Sequence, residues 1–209
     1  MMKRIDAIVL AAGLSRRMGE AKLLLPWGDT TVLGATLANV WASDVQRVVV
    51  VTGGYRQGVE QLIAQIAERD ILLQETRLPP SIITVHNPNF ATGEMLSSLK
   101  VGIGALAEDA DGCVVLLGDM PLVLPETINQ VVAALQGHHL VAPLFEGKRG
   151  HPVGFGRSHF TPLLNLPPNG APRDLIYAYR HELHQLPLNT DSILIDLDTR
   201  AVYNQWRPR

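Results

Sequence analysis

Residues 5–22 have the sequence IDAIVLAAGLSRRMGEAK, a short apolar run followed by a basic loop. The run at residues 5–10 is rich in Ile, Val and Leu and carries one charge, Asp6. Continuous apolar runs of this length are typical of strands that are buried on both faces of a parallel sheet. The loop contains two glycines, Gly13 and Gly19, which tolerate positive φ. Three cations lie in the same loop: Arg16, Arg17 and Lys22.

The same kind of apolar run recurs along the chain and alternates with amphipathic segments. Further strands are predicted at residues 47–52, 82–86, 113–117 and 140–142. Helical spacing of apolar residues predicts helices at residues 31–41, 59–66, 95–106 and 125–135. This alternation predicts βαβ units and therefore an α/β fold, a single Rossmann-like three-layer domain with a mostly parallel sheet. Prolines are frequent after residue 147, and we expect that part to complete the same domain, residues 1–209, with shorter strands and helices.

Length and composition exclude several classes of protein. At roughly 150 residues per domain, a chain of 209 residues predicts one domain. The 18 Lys and Arg against 20 Asp and Glu give a net charge of −2, without the basic footprint of a nucleic-acid-binding protein. The single cysteine, Cys113, cannot form an internal disulfide, and no apolar run approaches the roughly 20 residues of a membrane span. Arg16 and Arg17 stand where the cleavage region of a signal peptide would be neutral, so we expect a cytoplasmic protein without nucleic-acid or membrane partners.

The loop after the first strand has the properties of a polyphosphate site. In an open parallel sheet, ligands bind beyond the carboxyl ends of the strands, and this loop leaves the first of them. Small residues at Ala11, Ala12 and Gly13 allow backbone N–H groups to approach a ligand closely. The spacing of Gly13, Gly19 and Lys22 differs from that of a Walker A loop. A glycine turn with solvated basic residues remains the alternative interpretation.

A second candidate site follows the strand predicted at residues 113–117. It continues into Gly118-Asp119-Met120-Pro121, which places a carboxylate at the same edge of the sheet as the basic loop. Mg²⁺ is commonly held by one or two carboxylates together with phosphate oxygens, so Asp119 is a candidate metal ligand. A turn or capping aspartate is the alternative.

These residues carry a resemblance to a known family. Residues 10–22 resemble the L-A-(A/G)-G-x-S-x-R-M-G-x-x-K signature of the MobA-like nucleotidyltransferases and match it at every specified position. Residues 118–121 resemble the family's metal-binding G-D-x-P turn, and residues 149–153, RGHPV, resemble a later family element. The Ala11-Ala12-Gly13 sequence is similar to that of the cytidylyltransferase branch, which joins CMP to molybdopterin.

The resemblance implies roles for individual residues. Lys22, Arg17 and Asp119 would be catalytic, the two cations by neutralising the triphosphate and the carboxylate by holding Mg²⁺. Nucleotide-binding residues would be Leu10, Ala11, Ala12, Gly13, Arg17, Lys22, Gly53, Gly54 and Ser97. A further ligand-side loop, less specific, would comprise Asn87, Pro88, Gly93 and Ser97 or Ser98.

Other implied roles concern the later part of the chain. Asp196 and Asp198 lie where related enzymes place a second carboxylate on the metal, and Asp198 is the better candidate. Arg173 resembles a family arginine that would meet the pterin phosphate, with a solvent-exposed helix start as the alternative. His151 would orient a loop or face the pterin.

The resemblance therefore implies transfer of CMP from CTP to molybdopterin with release of diphosphate, in molybdenum cofactor biosynthesis. Two alternatives stay open at this point. The acceptor could be another phosphorylated compound, or the protein could be a binding and insertion chaperone that hands a pterin cofactor to a molybdenum hydroxylase. Lys22 and Asp119 favour catalysis over carriage, because a carrier has no need of groups that stabilise a leaving diphosphate.

Overall fold

The apolar runs predicted as strands form one sheet built around residues 5–11. The computed structural model describes residues 2–73, 81–92 and 94–208, without the side chains of residues 69–73. The strands are β1 (Ile5–Ala11), β2 (Pro26–Trp27), β3 (Thr30–Thr31), β4 (Arg47–Thr52), β5 (Ser81–His86), β6 (Gly112–Leu117), β7 (Leu140–Phe145), β8 (Lys148–Arg149), β9 (Val153–Gly156) and β10 (Leu183–Pro187).

Helices follow most of these strands, as the alternating pattern predicts. They are α1 (Val32–Trp41), α2 (Arg56–Leu73), α3 (Met95–Gly104), α4 (Pro125–Leu135), α5 (Phe160–Leu164), α6 (Pro172–Ala178) and α7 (Arg200–Trp206). Short 3-10 turns occur at Lys22–Leu24, Arg157–His159 and Asp191–Leu194. In the part of the chain that the structure describes, no helix combines the length and the apolar content needed to cross a membrane.

The main sheet is mostly parallel and mixed at one edge. Among the described residues it has eight strands, in the order β10-β7-β9-β6-β1-β4-β5, with β8 paired to β7. Strand β1 lies at its centre and pairs in parallel with β4 and β6, while β9 runs antiparallel to β6 and β7. Strands β7 to β10 join the same sheet, so the proline-rich part of the chain extends it.

Helices cover both faces of this sheet because its central strands are apolar on both sides. One cluster includes Ile5, Ala7 and Val9 of β1 together with buried residues of α1 and α4. The other includes Ile8 of β1 and Leu99 of α3, as well as residues of α5 and α6. The sheet and the helices on its two faces form three layers, with one apolar cluster on each side of the sheet. The predicted α/β class with a mostly parallel sheet is confirmed.

The structure differs from the predicted elements mainly at their ends. Helix α1 begins at Val32, because Thr31 is its N-cap and the Thr31 hydroxyl accepts a hydrogen bond of 3.1 Å from the Gly34 N–H. Helix α2 extends beyond the predicted residues 59–66 on both sides, and α3 ends at Gly104.

The carboxyl ends of β1, β4 and β6 meet at one edge of the sheet, since the three strands are parallel. The Gly118 N–H after β6 donates to the carbonyl of Leu10 at 3.0 Å, which keeps the two loops together as they leave the sheet. The loops that follow Ala11, Thr52 and Leu117 therefore surround a common space, where the candidate site lies.

A buried histidine near β10 makes stability depend on pH. The side chain of His159 is 1% exposed, and burial lowers its pKa although Glu182, 3.4 Å away, opposes this shift. A group whose pKa is lower in the folded than in the unfolded state stabilises the fold above its unfolded pKa and loses that contribution as the pH falls through its folded pKa. We therefore expect the drop in Tm between pH 7.5 and pH 5.5 to be smaller in His159→Gln than in the wild type.

The measurement is thermal unfolding at the two pH values, where about 1 kcal/mol shifts Tm by roughly 2–4 °C in a chain of this size. His181→Gln is the matched control, since His181 meets the same Glu182 but is 71% exposed. An equal drop in Tm for His159→Gln and the wild type would contradict the prediction.

Candidate active site

The ammonium of Lys22 lies between two carboxylates at the carboxyl edge of the sheet. Its Nζ donates to Asp119 Oδ2, and to Asp198 Oδ1 at 2.5 Å. Asp198 also pairs through Oδ2 with the guanidinium of Arg17. Exposure falls inward, from 74% for the Arg17 side chain to 34% for Asp198, 14% for Lys22 and 8% for Asp119. One ion-pair network thus joins four predicted site residues, which come from the basic loop, the turn after β6 and the C-terminal segment.

The basic loop turns back so that Lys22 faces this network. The Ser15 carbonyl accepts the N–H groups of Met18 and Gly19 at 3.0 and 3.1 Å, and the Ser15 hydroxyl accepts the Lys22 N–H at 3.2 Å. Positive φ occurs at Ser15 and Gly19, with values of 50° and 73°, and does not occur at Gly13. The positive φ values that were expected at Gly13 and Gly19 are therefore found at Ser15 and Gly19.

Asp119 is held by a tight turn after β6. A Cβ at Gly118 would lie 3.2 Å from both the Leu10 carbonyl oxygen and Leu33 Cδ1, so this glycine lets the turn pack against β1. The Gly118 carbonyl accepts the Thr36 hydroxyl at 3.1 Å. The Asp119 carbonyl accepts the Leu197 N–H at 3.2 Å, which brings the segment of Asp198 alongside.

The charges in this site are unevenly balanced. Burial lowers the pKa of Lys22, but the carboxylates of Asp119 and Asp198 outweigh it, so that its pKa is raised. The hydrogen bond from Lys22 holds the pKa of Asp198 below its usual value, with Arg17 adding to the effect. A third carboxylate, Asp196, has a raised pKa because of burial and of the negative charges of Asp198 and Asp119. Three carboxylates thus face two cations.

This donor set fits a divalent cation that also binds a ligand. Asp119 and Asp198 present oxygens to one point, as their shared hydrogen bonds with Lys22 show, and oxygen ligands are those that Mg²⁺ prefers. The described residues contain no group of three or more His, Cys, Asp or Glu arranged to hold a metal ion by themselves. Phosphate oxygens or water would have to complete the coordination.

A cleft of about 310 Å³ opens beside the network. Six of the predicted site residues line it: Leu10, Ala12, Gly13, Lys22, Asp119 and Asp198. Its other lining residues are Leu23, Phe90, Glu94, Met95, Ser98, Leu117 and Asp196. The small residues after β1 and the charged network thus form walls of the same cavity.

Five predicted site residues lie behind or beside this lining: Ala11, Arg17, Gly53, Gly54 and Ser97. Ala11 is buried in β1. At Gly53 a Cβ would lie 2.7 Å from Phe90 Cβ and 2.8 Å from Ala12 Cα, and a Cβ at Gly54 would meet Leu14. The space beside both glycines is therefore filled by the walls of the cleft, which they allow to pack closely.

The loop after β5 contributes Phe90 to the cleft and supports a second lining residue, Ser98, through the buried side chain of Asn87. Its amide Nδ2 donates to Ser97 Oγ at 2.8 Å and to Ser98 Oγ at 2.9 Å. Ser98 lines the cleft and Ser97 does not. Gly93, which was expected in this loop, lies outside the described residues.

Sequence reasoning missed the residues that separate the cleft from a neighbouring cavity. Phe90 and Glu94 line both the cleft and a second cavity of about 360 Å³, which also contacts Leu14 and Arg16. These two residues belong to no motif, and only their position between β5 and α3, at the carboxyl edge, could have indicated them. Arg173 is exposed at the start of α6 and lines neither cavity.

Comparison with known proteins places this arrangement in a family. The protein is 29% identical over 198 residues to the molybdenum cofactor cytidylyltransferase of Escherichia coli K12, covering 95% of this chain and 93% of that one. Its structure is similar to that of Rv0371c from Mycobacterium tuberculosis, with a TM-score of 0.79, 27% identity, and coverage of 98% and 97% of the two chains. A manganese complex of the same mycobacterial protein has a TM-score of 0.75 and 26% identity, with 98% of each chain covered.

The family profile of the MobA-like NTP transferase domain matches residues 7–184, which include the basic loop and Asp119 but not Asp198. The match spans most of the chain and includes the carboxyl ends of β1 and β6, which lead into the ion-pair network. The chain belongs to the MobA-like NTP transferase domain family.

Proposed function

We propose that the protein transfers CMP from CTP to molybdopterin in the cytoplasm and releases diphosphate, with residues 1–209 acting as one catalytic domain. The observation that carries this proposal is that Lys22 and Asp119 form an ion pair in the wall of a cleft that Ala12 and Gly13 also line. Family membership supports nucleotidyl transfer, and the similarity to a molybdenum cofactor cytidylyltransferase over 95% of the chain supports the choice of substrates.

In this reaction a phosphate oxygen of the acceptor attacks the α-phosphorus of CTP, and the bond to the leaving diphosphate breaks. Backbone groups at Ala12 and Gly13 would hold the nucleoside, since nothing lies within 4 Å of the position that a Gly13 Cβ would occupy. Lys22 and Arg17 would bind the phosphates and stabilise the charge that develops on the leaving diphosphate. No protein nucleophile is required.

Asp119 and Asp198 would hold Mg²⁺, which supplies Lewis-acid stabilisation of the phosphoryl oxygens when bound. Three carboxylates face two cations, which leaves one excess negative charge and supports a divalent ion there. Lys22 currently occupies the carboxylate oxygens, so its ammonium would move toward the phosphates as the nucleotide binds.

Asp119→Asn is the first test of the metal assignment. The turn carboxylate contributes little packing, and Lys22 keeps Asp198 as a partner, so the variant should fold. We expect metal-dependent turnover to fall about 100-fold or more, the size of effect seen when a preorganised charge partner is lost. Asp196→Asn, in the same cleft, is the control and should lose less than about tenfold; turnover of Asp119→Asn near that of the wild type would refute the assignment.

Lys22→Ala tests whether the basic loop binds the phosphates of the nucleotide. If the ammonium binds phosphates in the ground state and more strongly in the transition state, the KM for CTP rises and kcat falls, and kcat/KM drops about 10- to 100-fold, as expected for a hydrogen bond to a charged group. Arg17→Ala should also reduce kcat/KM, whereas Arg16→Ala should be milder, because Arg16 donates to the Ala91 carbonyl at 3.3 Å instead of joining the network. Unchanged kcat and KM in Lys22→Ala would reject the proposal that the basic loop binds the phosphates of CTP.

The choice of nucleotide is tested by competition between equimolar CTP and GTP with a molybdopterin acceptor. Ala12 lines the cleft, and its methyl group fills space that a glycine would leave open. We expect CTP to be preferred at least about tenfold in kcat/KM, which needs only about 1.4 kcal/mol of differential transition-state binding. Ala12→Gly should reduce this preference. Equal use of both nucleotides would reject CTP specificity and leave nucleotidyl transfer intact. Diphosphate release with another phosphorylated acceptor and none with molybdopterin would reject molybdopterin as the acceptor.

A further inference from the structure

The turn after β8 touches the segment that carries Asp198. The His151 N–H donates to the Ile193 carbonyl at 2.9 Å, and the Gly150 N–H donates to the Pro143 carbonyl at 3.0 Å. Gly150 is buried, and a Cβ there would lie 2.7 Å from the Ile193 carbonyl carbon and 2.8 Å from Ile193 Cβ. Real Cβ atoms do not approach other atoms so closely, and φ at Gly150 is outside the left-handed region. Glycine is therefore required at position 150 because there is no space for a side chain, and not because of the backbone conformation.

The segment beyond Ile193 has a second anchor next to the ion-pair network. Leu197 is completely buried, and its N–H donates to the Asp119 carbonyl at 3.2 Å. Ile193 is also buried, so the chain between these two residues is fixed at both ends. Asp198 follows Leu197 directly and reaches Lys22 from this fixed position. Because the span is short, the position of Asp198 depends on both contacts, and a displacement of Ile193 would shift the carboxylate as well.

We propose that Gly150 is a positioning residue for the metal-binding carboxylate of Asp198. It acts through Ile193: the absence of a side chain lets the turn and the segment pack backbone against backbone, and this contact sets where Asp198 meets Lys22. Asp198 lies outside residues 7–184, so the turn connects the family-matched part of the chain to a carboxylate beyond it. The inference rests on the proposed role of Asp119 and Asp198 as metal ligands.

The test measures Mn²⁺ binding to the full chain in the presence of CTP and without acceptor. Binding is monitored through the electron paramagnetic resonance signal of free Mn²⁺. Gly150→Ala and Asp198→Asn should each weaken Mn²⁺ binding about tenfold, the lower end of the effect expected when a residue supporting a metal ligand is changed. The double variant should bind no more weakly than Asp198→Asn alone, because both changes act through one carboxylate. Gly137→Ala is the matched control and should bind like the wild type, since a Cβ at Gly137 meets nothing within 4 Å.

Wild-type Mn²⁺ affinity in Gly150→Ala would overturn the proposal, and so would additive losses in the double variant, which would indicate a general structural effect. If circular dichroism shows that Gly150→Ala does not fold, Leu197→Ala takes its place, because Leu197 fixes the same segment from the other end. It must then show the same lack of additivity with Asp198→Asn, and additive losses or no loss would reject the proposal. Should Asp198→Asn itself leave Mn²⁺ affinity unchanged, the metal role of Asp198 falls and the positioning role falls with it.

Discussion

The pairing of one ammonium with two carboxylates from distant parts of the chain is the interaction on which the site depends. Lys22 comes from the first loop, Asp119 from the turn after β6, and Asp198 from the C-terminal segment. Burying a charge is unfavourable unless it is paired. The three segments therefore have to arrive together, and the parallel arrangement of β1 and β6 is what brings the first two to one edge.

The same network sets the electrostatic requirements of a bound nucleotide. Three carboxylates already face two cations, and a triphosphate would add further negative charge. Under the proposed function, phosphates and a divalent cation are therefore needed together, since either alone leaves the site unbalanced. Lys22 is common to both requirements, because it now neutralises the oxygens that a metal ion would use and is one of the basic-loop cations that would bind the phosphates.

The parts of this structure that sequence could predict are those with a local pattern. Strand β1 and its parallel neighbours are continuous apolar runs, and Lys22 and Asp119 follow two of them, so their meeting at one edge could be inferred from topology. Strand β9 contains two glycines in four residues and β10 mixes polar and apolar residues, so neither forms the continuous apolar run that marks the central strands. Asp198 was indicated only by resemblance, because contacts of Leu197 with the rest of the chain fix its place, and no local pattern encodes such contacts.

The glycines of the site show most clearly why sequence alone could not separate binding from packing. Gly53, Gly118 and Gly150 each face another segment at a distance that a Cβ would not tolerate or would strain, so they hold the loops together. Gly13 differs, because it lines the cleft and has open space where its Cβ would be. All four are small residues near strand ends, and in sequence each predicts close approach to something. Only the arrangement of the loops shows that the Cβ positions of Gly53, Gly118 and Gly150 face the protein itself, whereas that of Gly13 is open.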